Sequence, residues 1–258
     1  CRLGHCHALA LRSVSCILCY QPIFKILFTA TNANFTVMLH SIEREDKHLH
    51  KGLRKQLVEQ LKGKGITDPA VLQAIEKIPR HFFLDPAFER IAYEDRAFPI
   101  VADQTISQPY TVAYQTQLLE IRKFDKVLEI GTGSLYQSCV LAEMGAIVHT
   151  IERQRALYDF VSKFFFLKKY PNIKRHYGDG YEGLKTYAPF DKVIVTAAAP
   201  YVPPKLIEQL KPNGIAVIPV GDESGQKMYR IRKDAAGHIT EEVLGDFSFV
   251  PMLTGKNK

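Results

Sequence analysis

What this 258-residue chain lacks already narrows its function. Four of its five cysteines lie within the first nineteen residues, so that Cys139 is the only one in the remainder. A disulfide framework is therefore not expected in the fold, which favours a reducing, cytoplasmic environment. The chain also lacks arginine-rich runs and apolar stretches long enough to span a bilayer. We therefore expect neither a nucleic-acid partner nor a membrane segment.

The first 37 residues differ from the rest of the chain. They contain no aspartate or glutamate, show no clear helical or strand period, and precede Met38, the first methionine. We interpret residues 1–37 as an extension outside the domain, with translation starting at Met38 and a single domain over residues 38–258. A signal or anchor segment is the alternative, although it has no small-residue cleavage site. The pair Cys16 and Cys19 could form half of a zinc site, but no second pair completes it, so no metal is expected.

One stretch in the middle of the chain is typical of a nucleotide-binding unit. The apolar run Lys126–Ile130 ends in Gly131-Thr132-Gly133, and a helical pattern starts at Tyr136. This order predicts a strand, a glycine loop and a helix, which is where a parallel sheet binds nucleotide-like ligands. Glycine in the loop permits positive φ angles and lets a ligand approach the backbone closely.

A second predicted strand, at 147–151, ends in Glu152, about 20 residues after Gly131. A carboxylate at this position can accept hydrogen bonds from both ribose hydroxyls of an adenosine. Dinucleotides and S-adenosyl-L-methionine both fit such a unit. Tyr136 replaces the third glycine of a dinucleotide fingerprint, and Glu129 offers an anionic partner for a methionyl ammonium, so the pattern favours S-adenosyl-L-methionine. The alternative is an ordinary βαβ turn without a ligand.

Periodicity predicts the remaining elements. The first two helices should cover the sheet, and the run at 82–84 should lie in the core. A segment rich in small hydroxyl residues, 104–110, precedes the third helix. Helices are expected at 53–61, from Pro69 to just before Pro79, and at 111–121, 136–144, 158–169 and 204–210. Further strands are expected before the loop 177–180 and at 190–196, 215–220, 228–232 and 243–250, the last two antiparallel.

Ser107 stands out within the hydroxyl-rich segment. It could act as a nucleophile, but the sequence has no Gly-x-Ser-x-Gly elbow and no evident histidine and aspartate partners. A capping turn around Pro109 is the alternative.

Together these segments resemble the protein-L-isoaspartate O-methyltransferases, a family of class I S-adenosylmethionine enzymes. The resemblance runs from about Leu53 to Pro251, and the segment 104–110 separates this family from other class I methyltransferases. The most specific blocks are Gln104-Thr-Ile-Ser-Gln-Pro-Tyr110, Val127-Leu-Glu-Ile-Gly-Thr-Gly133, Thr150-Ile-Glu-Arg153, Gly178-Asp-Gly180, Ala188-Pro-Phe-Asp191 with Val195-Thr-Ala-Ala198, and Pro219-Val-Gly221.

The resemblance implies an α/β fold, with a doubly wound, Rossmann-like sheet of seven strands whose last strands are antiparallel. It also implies methyl transfer from S-adenosyl-L-methionine to the α-carboxylate of L-isoaspartyl residues in damaged proteins and peptides. The methyl ester then closes to a succinimide, which hydrolyses partly to normal aspartate. We expect the enzyme to act as a monomer.

The resemblance also assigns roles to individual residues. Ser107 takes the family's active-site serine position, where its hydroxyl orients the carboxylate or the sulfonium and does not attack as a nucleophile. The other expected contacts are all to the cofactor: Thr105, Ile106, Gln108, Glu129, Gly131, Thr132, Gly133, Glu152, Asp179, Gly180 and, closing the site, Thr254.

Leu135 departs from the family's loop, which normally has glycine there. With negative φ at the helix start its side chain would pack in the core, whereas positive φ or a ligand-facing position would cost strain and crowd the methionyl group. The helical pattern from Tyr136 favours negative φ, and we expect reduced cofactor affinity from the side chain.

Two alternatives to a repair enzyme stay open. One is a class I methyltransferase for another acceptor, such as RNA or a small molecule. The other is a homologue with activity weakened by Leu135.

Overall fold

The computed structural model describes residues 44–257. The predictions for residues 1–37, for Met38 as the start and for the Cys16–Cys19 pair therefore lie outside the described residues.

A seven-stranded sheet forms the centre of the protein, and a short hairpin precedes it. The strands are β1 (Phe98–Pro99) and β2 (Thr105–Ile106) in the hairpin, and β3 (Lys126–Ile130), β4 (Ile147–Glu152), β5 (Ile173–Tyr177), β6 (Phe190–Val195), β7 (Leu210–Asp222), β8 (Gly225–Lys233) and β9 (Ile239–Phe247) in the sheet. The order across the sheet is β5–β4–β3–β6–β7–β8–β9; β3 to β7 are parallel, and β8 and β9 are antiparallel. This arrangement confirms the predicted α/β fold and its antiparallel last strands.

Helices cover both faces of the sheet. They are α1 (His48–Gly63), α2 (Pro69–Lys77), α3 (Pro109–Leu119), α4 (Tyr136–Glu143), α5 (Arg155–Ser162) and α6 (Pro204–Glu208), with 3₁₀ turns at Arg80–Phe83, Pro86–Phe88, Phe165–Lys169, Gly180–Glu182 and Lys185–Tyr187. The first five helices pack in one apolar core and α6 in the other. Within residues 44–257, no helix combines the length and the apolar character that crossing a bilayer requires.

Successive side chains along each strand point to opposite faces of the sheet and so enter different cores. Val127 and Val148 face the core of α1 to α5, whereas Leu128 and Ile151 face the core of α6. Both sets are buried because helices cover both faces, and such strands read as continuous apolar runs in the sequence. The run in β6 is therefore a reliable signal of a central strand.

The N-terminal helices follow the predicted pattern, with one exception. Leu57 and Leu61 on α1 are buried, and the Asp68 side chain caps α2 by accepting a hydrogen bond from the Ala70 amide at 2.8 Å. Arg54, a charged residue on α1, is buried. Its two terminal nitrogens each donate to one carboxylate oxygen of Asp46 at 2.7 Å, so a paired guanidinium is accommodated in the interior.

The helix predicted at 158–169 is interrupted. Helix α5 ends at Ser162, and a 3₁₀ turn, Phe165–Lys169, replaces its second half. Phe164 and Phe166 are both buried and both contact Phe83, with ring centroids 4.9 and 5.8 Å away. In a continuous α-helix these two side chains would point about 200° apart, so the break lets both enter the same core.

Several boundaries also shift, those of α3 and β7 among them. Helix α3 begins at Pro109, two residues earlier than predicted, because proline suits the first helical position. Strand β7 begins at Leu210, earlier than predicted, and Asn213, which has φ 63°, lies within it where its pairing with β6 is irregular. Neither shift moves a residue at the carboxyl ends of the strands.

Candidate active site

A cleft opens at the carboxyl ends of β3, β4 and β6. The chain runs from β3 to β4 on one side, while β6 pairs with β3 on the other, so the strand order reverses at β3. Doubly wound sheets bind ligands at such a reversal. The cleft walls come from the hairpin and the residues after it (103–107), the glycine loop and the start of α4, the ends of β4 and β6, and the C-terminal segment 250–253.

The loop between β3 and α4 is held by the neighbouring strand. The amides of Gly131 and Thr132 donate to the carbonyl of Ile151, at 3.0 and 3.2 Å. Gly131 has φ 97° and Gly133 has φ 51°. A Cβ atom at Gly131 would collide with Oγ1 of Thr196, whereas one at Gly133 would meet no atom. Glycine is thus required at 131 by dihedral angle and by packing, and the loop forms a fixed backbone edge beside open space.

Glu152 lies at the end of β4 and faces this loop. Its two carboxylate oxygens accept hydrogen bonds from the amides of Gly133, at 3.2 Å, and Gln154, at 2.8 Å. Burial raises the pKa of Glu152, and these amides offset the shift only in part. The residue lines the cleft. The structure therefore places a fixed acceptor at the position where the sequence predicts one for ribose hydroxyls.

Glu129 does not line the cleft, and its contact with the cofactor stays a prediction. The side chain has no exposed surface, one carboxylate oxygen accepts from the hydroxyl of Ser138, and the other has no hydrogen-bond partner. Burial raises the pKa of Glu129 to about 8. The carboxyl group is thus mostly protonated at neutral pH and lies beneath the loop.

The predicted active-site segment forms another wall of the same cleft. Thr105 and Ile106, which make up β2, line it together with Ser107. Gln108 does not. It precedes α3, and its Nε2 donates to the carbonyl of Asp95 at 3.0 Å, which holds the side chain outside the cleft lining.

Only one of the three remaining predicted contacts lies on the cleft. Gly180 lines it. Asp179 instead serves the backbone, because its Oδ1 accepts from the amide of Tyr181 at 2.9 Å and its Oδ2 from the amide of Gly255 at 2.6 Å. Thr254 is exposed and lies just beyond the C-terminal residues that line the cleft. Asp179 is therefore an anchor for the C-terminal segment.

Leu135 combines features of both conformations considered for it. Its backbone is left-handed, with φ 71° and ψ 2°, so the expectation of negative φ is wrong. Its side chain is fully buried in the core of α1 to α5 and does not line the cleft. The left-handed backbone explains why glycine suits this position. The expected crowding of the cofactor, however, has no support in the structure.

The predicted contacts do not include two parts of the cleft, Thr196 and the segment 250–253. Thr196 follows β6, and its Oγ1 donates to the carbonyl of Gly131 at 2.8 Å. The segment 250–253 joins the cleft because the amide of Ala198 donates to Val250 at 2.8 Å and the amide of Met252 to Ala198 at 2.7 Å. The position of Thr196 at the end of a strand beside the reversal was a usable signal. No local pattern reveals contacts with a segment so distant in sequence.

Buried polar atoms without partners concentrate at this site. Among residues 44–257, five buried side-chain nitrogen or oxygen atoms lack a hydrogen-bond partner. Four of the five belong to Arg80, Glu129, Tyr136 and Gln137. Tyr136 and Gln137 line the cleft, and Arg80 and Glu129 lie behind it. Unpaired buried polar groups are costly, so their concentration here fits a cleft shaped for a polar ligand such as S-adenosyl-L-methionine.

A second polar cluster lies away from the cleft. Asp46, His50 and His81 are, within the described residues, the one group of three side chains close enough to hold a metal ion. Both oxygens of Asp46 already bind Arg54, and Nε2 of His50 lies 3.0 Å from Glu89. The cluster is therefore a hydrogen-bonded network around a guanidinium cation.

Known proteins resemble the chain along most of its length. A family model described as protein-L-isoaspartate(D-aspartate) O-methyltransferase (PCMT) matches residues 52–258. The protein-L-isoaspartate O-methyltransferase of Cytophaga hutchinsonii is 55% identical over 213 residues, which cover 83% of this chain and 96% of that protein.

Two solved structures are similar as well. One, named protein-L-isoaspartate O-methyltransferase, has a TM-score of 0.68 and 25% identity, and the match covers 77% of this chain and 65% of that one. A protein-L-isoaspartate O-methyltransferase of Plasmodium falciparum, in complex with S-adenosyl-L-homocysteine, has a TM-score of 0.67 and 27% identity and covers 81% and 99%. The chain therefore belongs to the protein-L-isoaspartate(D-aspartate) O-methyltransferase family.

Proposed function

We propose that this enzyme transfers the methyl group of S-adenosyl-L-methionine to the α-carboxylate of L-isoaspartyl residues in damaged proteins and peptides. The observation that carries the proposal is a single cleft that joins the glycine loop and Glu152 to the segment 105–107. A cofactor held by the loop and an acceptor held by the segment would meet between these walls. Membership of the family supports both the cofactor and the acceptor.

Specific residues of this chain suit the cofactor. The fixed carboxylate of Glu152 would accept the ribose hydroxyls, and the backbone at 131–133 would lie along the ligand. Gly180 lines the cleft and is required by packing, because a Cβ atom there would collide with Ile130. We assign Thr105, Ile106 and Thr132 to the walls of the same site, which they line.

The chemistry asks little acid–base work of the protein. When bound, S-adenosyl-L-methionine supplies an electrophilic methyl group on a positively charged sulfur. The acceptor is a carboxylate, which is ionised at neutral pH because its ordinary pKa is near 4. The protein therefore has to align the acceptor oxygen with the methyl group and exclude water, an effect worth up to roughly 7–11 kcal/mol. Ser107 would orient the acceptor by a hydrogen bond from its hydroxyl.

We further infer that residues 38–258 act as one domain and as a monomer in the cytoplasm, without a nucleic-acid or membrane partner. One continuous sheet carries both apolar cores, which supports a single domain. Cys139 is free and buried, which suits a reducing environment.

Two synthetic peptides of one sequence, with L-isoaspartate or L-aspartate at a single position, test the proposal. We expect methyl incorporation from S-adenosyl-L-methionine into the isoaspartyl peptide alone, because only there is the α-carboxylate free; in the normal peptide it forms the peptide bond. The incorporated methyl group should be released by mild base, as an ester is. Protein that binds S-adenosyl-L-homocysteine but leaves the isoaspartyl peptide unmodified would contradict the assigned acceptor.

A further inference from the structure

Arg80 is a fully buried cation behind the cleft. It begins the 3₁₀ turn Arg80–Phe83 and has no exposed surface. Its Nε donates to the carbonyl of Ala92 at 3.1 Å, and its Nη2 to the carbonyls of Ser107 at 2.8 Å and Arg96 at 3.4 Å. Its Nη1 has no hydrogen-bond partner. The hydrogen-bond partners of Arg80 within residues 44–257 are therefore neutral carbonyl groups.

The charge of Arg80 is not cancelled by a paired carboxylate. Asp95 is the acidic residue whose field acts on it most, but the carboxylate of Asp95 is already paired with Lys64 at 2.6 Å. Arg54, also buried, differs because both its terminal nitrogens bind Asp46. Burial lowers the pKa of Arg80, yet a guanidinium group stays protonated in proteins. A buried charge without a partner is costly, so its presence calls for a role.

The position of this charge points to the acceptor side of the cleft. The guanidinium carbon lies 4.8 Å from the ring centroid of Tyr136, whose hydroxyl also lacks a hydrogen-bond partner. Tyr136 and Ser107 both line the cleft, and Arg80 contacts both from behind. The charge of Arg80 thus lies directly behind the residues that line the cleft. Little water reaches this interior, so electrostatic forces are screened less there than in solvent.

We propose that Arg80 is a positioning residue for the acceptor carboxylate. Its fork fixes the carbonyl of Ser107 and hence the wall segment, and its unpaired positive charge attracts the negative group of the substrate to that wall. The inference rests on the proposed function, because it takes an isoaspartyl carboxylate as the acceptor. The attraction ends when the carboxylate becomes a neutral ester, so it favours binding of substrate over retention of product.

The test compares two peptides, one with the isoaspartyl α-carboxylate and one with the neutral α-carboxamide at the same position. The measured quantity is the ratio of their dissociation constants for protein saturated with S-adenosyl-L-homocysteine, which has no methyl group to transfer and so leaves the isoaspartyl peptide unchanged. Arg80→Gln and Arg80→Met remove the charge, and replacing a buried ion by a group of similar size is often tolerated. We expect both variants to reduce the preference for the carboxylate by about fivefold or more. The affinity for S-adenosyl-L-homocysteine should change less.

Arg44→Gln is the matched control. Arg44 also donates to backbone carbonyls, those of His81 at 2.9 Å and Leu84 at 2.7 Å, but it contacts neither Ser107 nor Tyr136. We expect this variant to lower the melting temperature and to keep the wild-type preference for the carboxylate. A purely structural Arg80 would behave in the same way, so an unchanged preference in Arg80→Gln would overturn the proposal.

Arg80→Lys separates the fork from the charge. Lysine keeps a positive charge but cannot reproduce the planar fork, so the KM for the peptide should rise about threefold or more while the carboxylate preference persists. If both neutral variants fail to fold, this variant decides, and an unchanged KM overturns the proposal. Wild-type protein that does not methylate the isoaspartyl peptide would instead refute the proposed function itself, independently of Arg80.

Discussion

The ends of β3 and β4 carry one glutamate each, and the two behave differently. Both side chains are buried, and both belong to adjacent parallel strands. Glu152, the last residue of β4, meets backbone amides of the glycine loop and of the turn after its own strand. Glu129, inside β3, meets only a serine hydroxyl with one oxygen and nothing with the other. Burial alone therefore does not define a binding carboxylate: Glu152 also lines the cleft, whereas Glu129 does not.

Removing the charge at the end of β4 should have the largest effect on ligand binding. Glu152→Gln keeps one acceptor oxygen for the amides, so the fold should survive. The ribose hydroxyls would lose charge-assisted hydrogen bonds, and the affinity for S-adenosyl-L-homocysteine should fall by roughly 1.5–3 kcal/mol. Calorimetry measures this directly. Glu59→Gln, on the exposed face of α1, is the control and should change nothing. Equal affinities of wild type and Glu152→Gln would remove the ribose assignment.

The same comparison shows what the sequence could and could not predict. Glu129 and Glu152 both lie in predicted strands of the nucleotide-binding unit, and both are predicted to contact the cofactor. The boundaries of β3, β4 and β6 agree with the prediction, because buried parallel strands leave unbroken apolar runs. Which carboxylate faces open space depends on the residues packed around it. For Glu129 one of these residues is Ser138, nine positions away on the next helix, whose hydroxyl donates to the carboxylate.

Two other predicted contacts do not line the cleft, and one predicted helix is broken, for a similar reason. Gln108 and Asp179 lie next to cleft residues in the sequence, but each side chain is used by a nearby backbone group. The helix predicted at 158–169 breaks because two aromatic side chains share one core. In each case local pattern placed the residue near the right element, and tertiary contacts decided its direction.

Glu129 should influence stability through pH far more than it influences binding. Its pKa is raised from 4.5 to about 8 in the fold. Between these values the folded state keeps a proton that the unfolded state releases, so stability falls as pH rises, by roughly 1.4 kcal/mol per pH unit. Glu129→Gln mimics the protonated acid and should abolish this slope. The affinity of Glu129→Gln for S-adenosyl-L-homocysteine should stay within about threefold of wild type, a difference of about 0.7 kcal/mol. The reason is that the side chain lies outside the cleft.

Histidines restrict the useful range for this measurement. Burial lowers the pKa of His81 and of His149 from 6.5 to about 4. Both are neutral in the fold and protonated in the unfolded state between those values, so their contribution to stability is lost as pH falls below 6.5. The slope due to Glu129 is therefore best read between pH 6.5 and 8, from urea unfolding of both proteins. If the free energy of unfolding changes equally with pH in wild type and in Glu129→Gln over that range, the fold does not raise the pKa of Glu129.

Leu135 lies in the loop between β3 and α4, and its replacement should have the smallest effect on ligand binding. Because its side chain is in the core and not on the cleft, Leu135→Gly should leave the affinity for S-adenosyl-L-homocysteine unchanged within about twofold, a difference of about 0.4 kcal/mol. Stability should fall, since removing a buried leucine side chain costs about 2–5 kcal/mol.

Comparison of Leu135→Gly with Leu135→Ala isolates the backbone. Both variants lose nearly the same packing, but only glycine adopts φ 71° without strain. A left-handed residue other than glycine costs roughly 1–2 kcal/mol, so Leu135→Gly should be the more stable of the two by about 1 kcal/mol after its larger chain entropy is counted. This order is the reverse of that expected at an ordinary helical position. A more stable alanine variant would mean that the backbone is not left-handed. Tighter ligand binding by Leu135→Gly would mean that the leucine side chain does crowd the cleft. That result would support the alternative that this protein is a homologue with weakened activity.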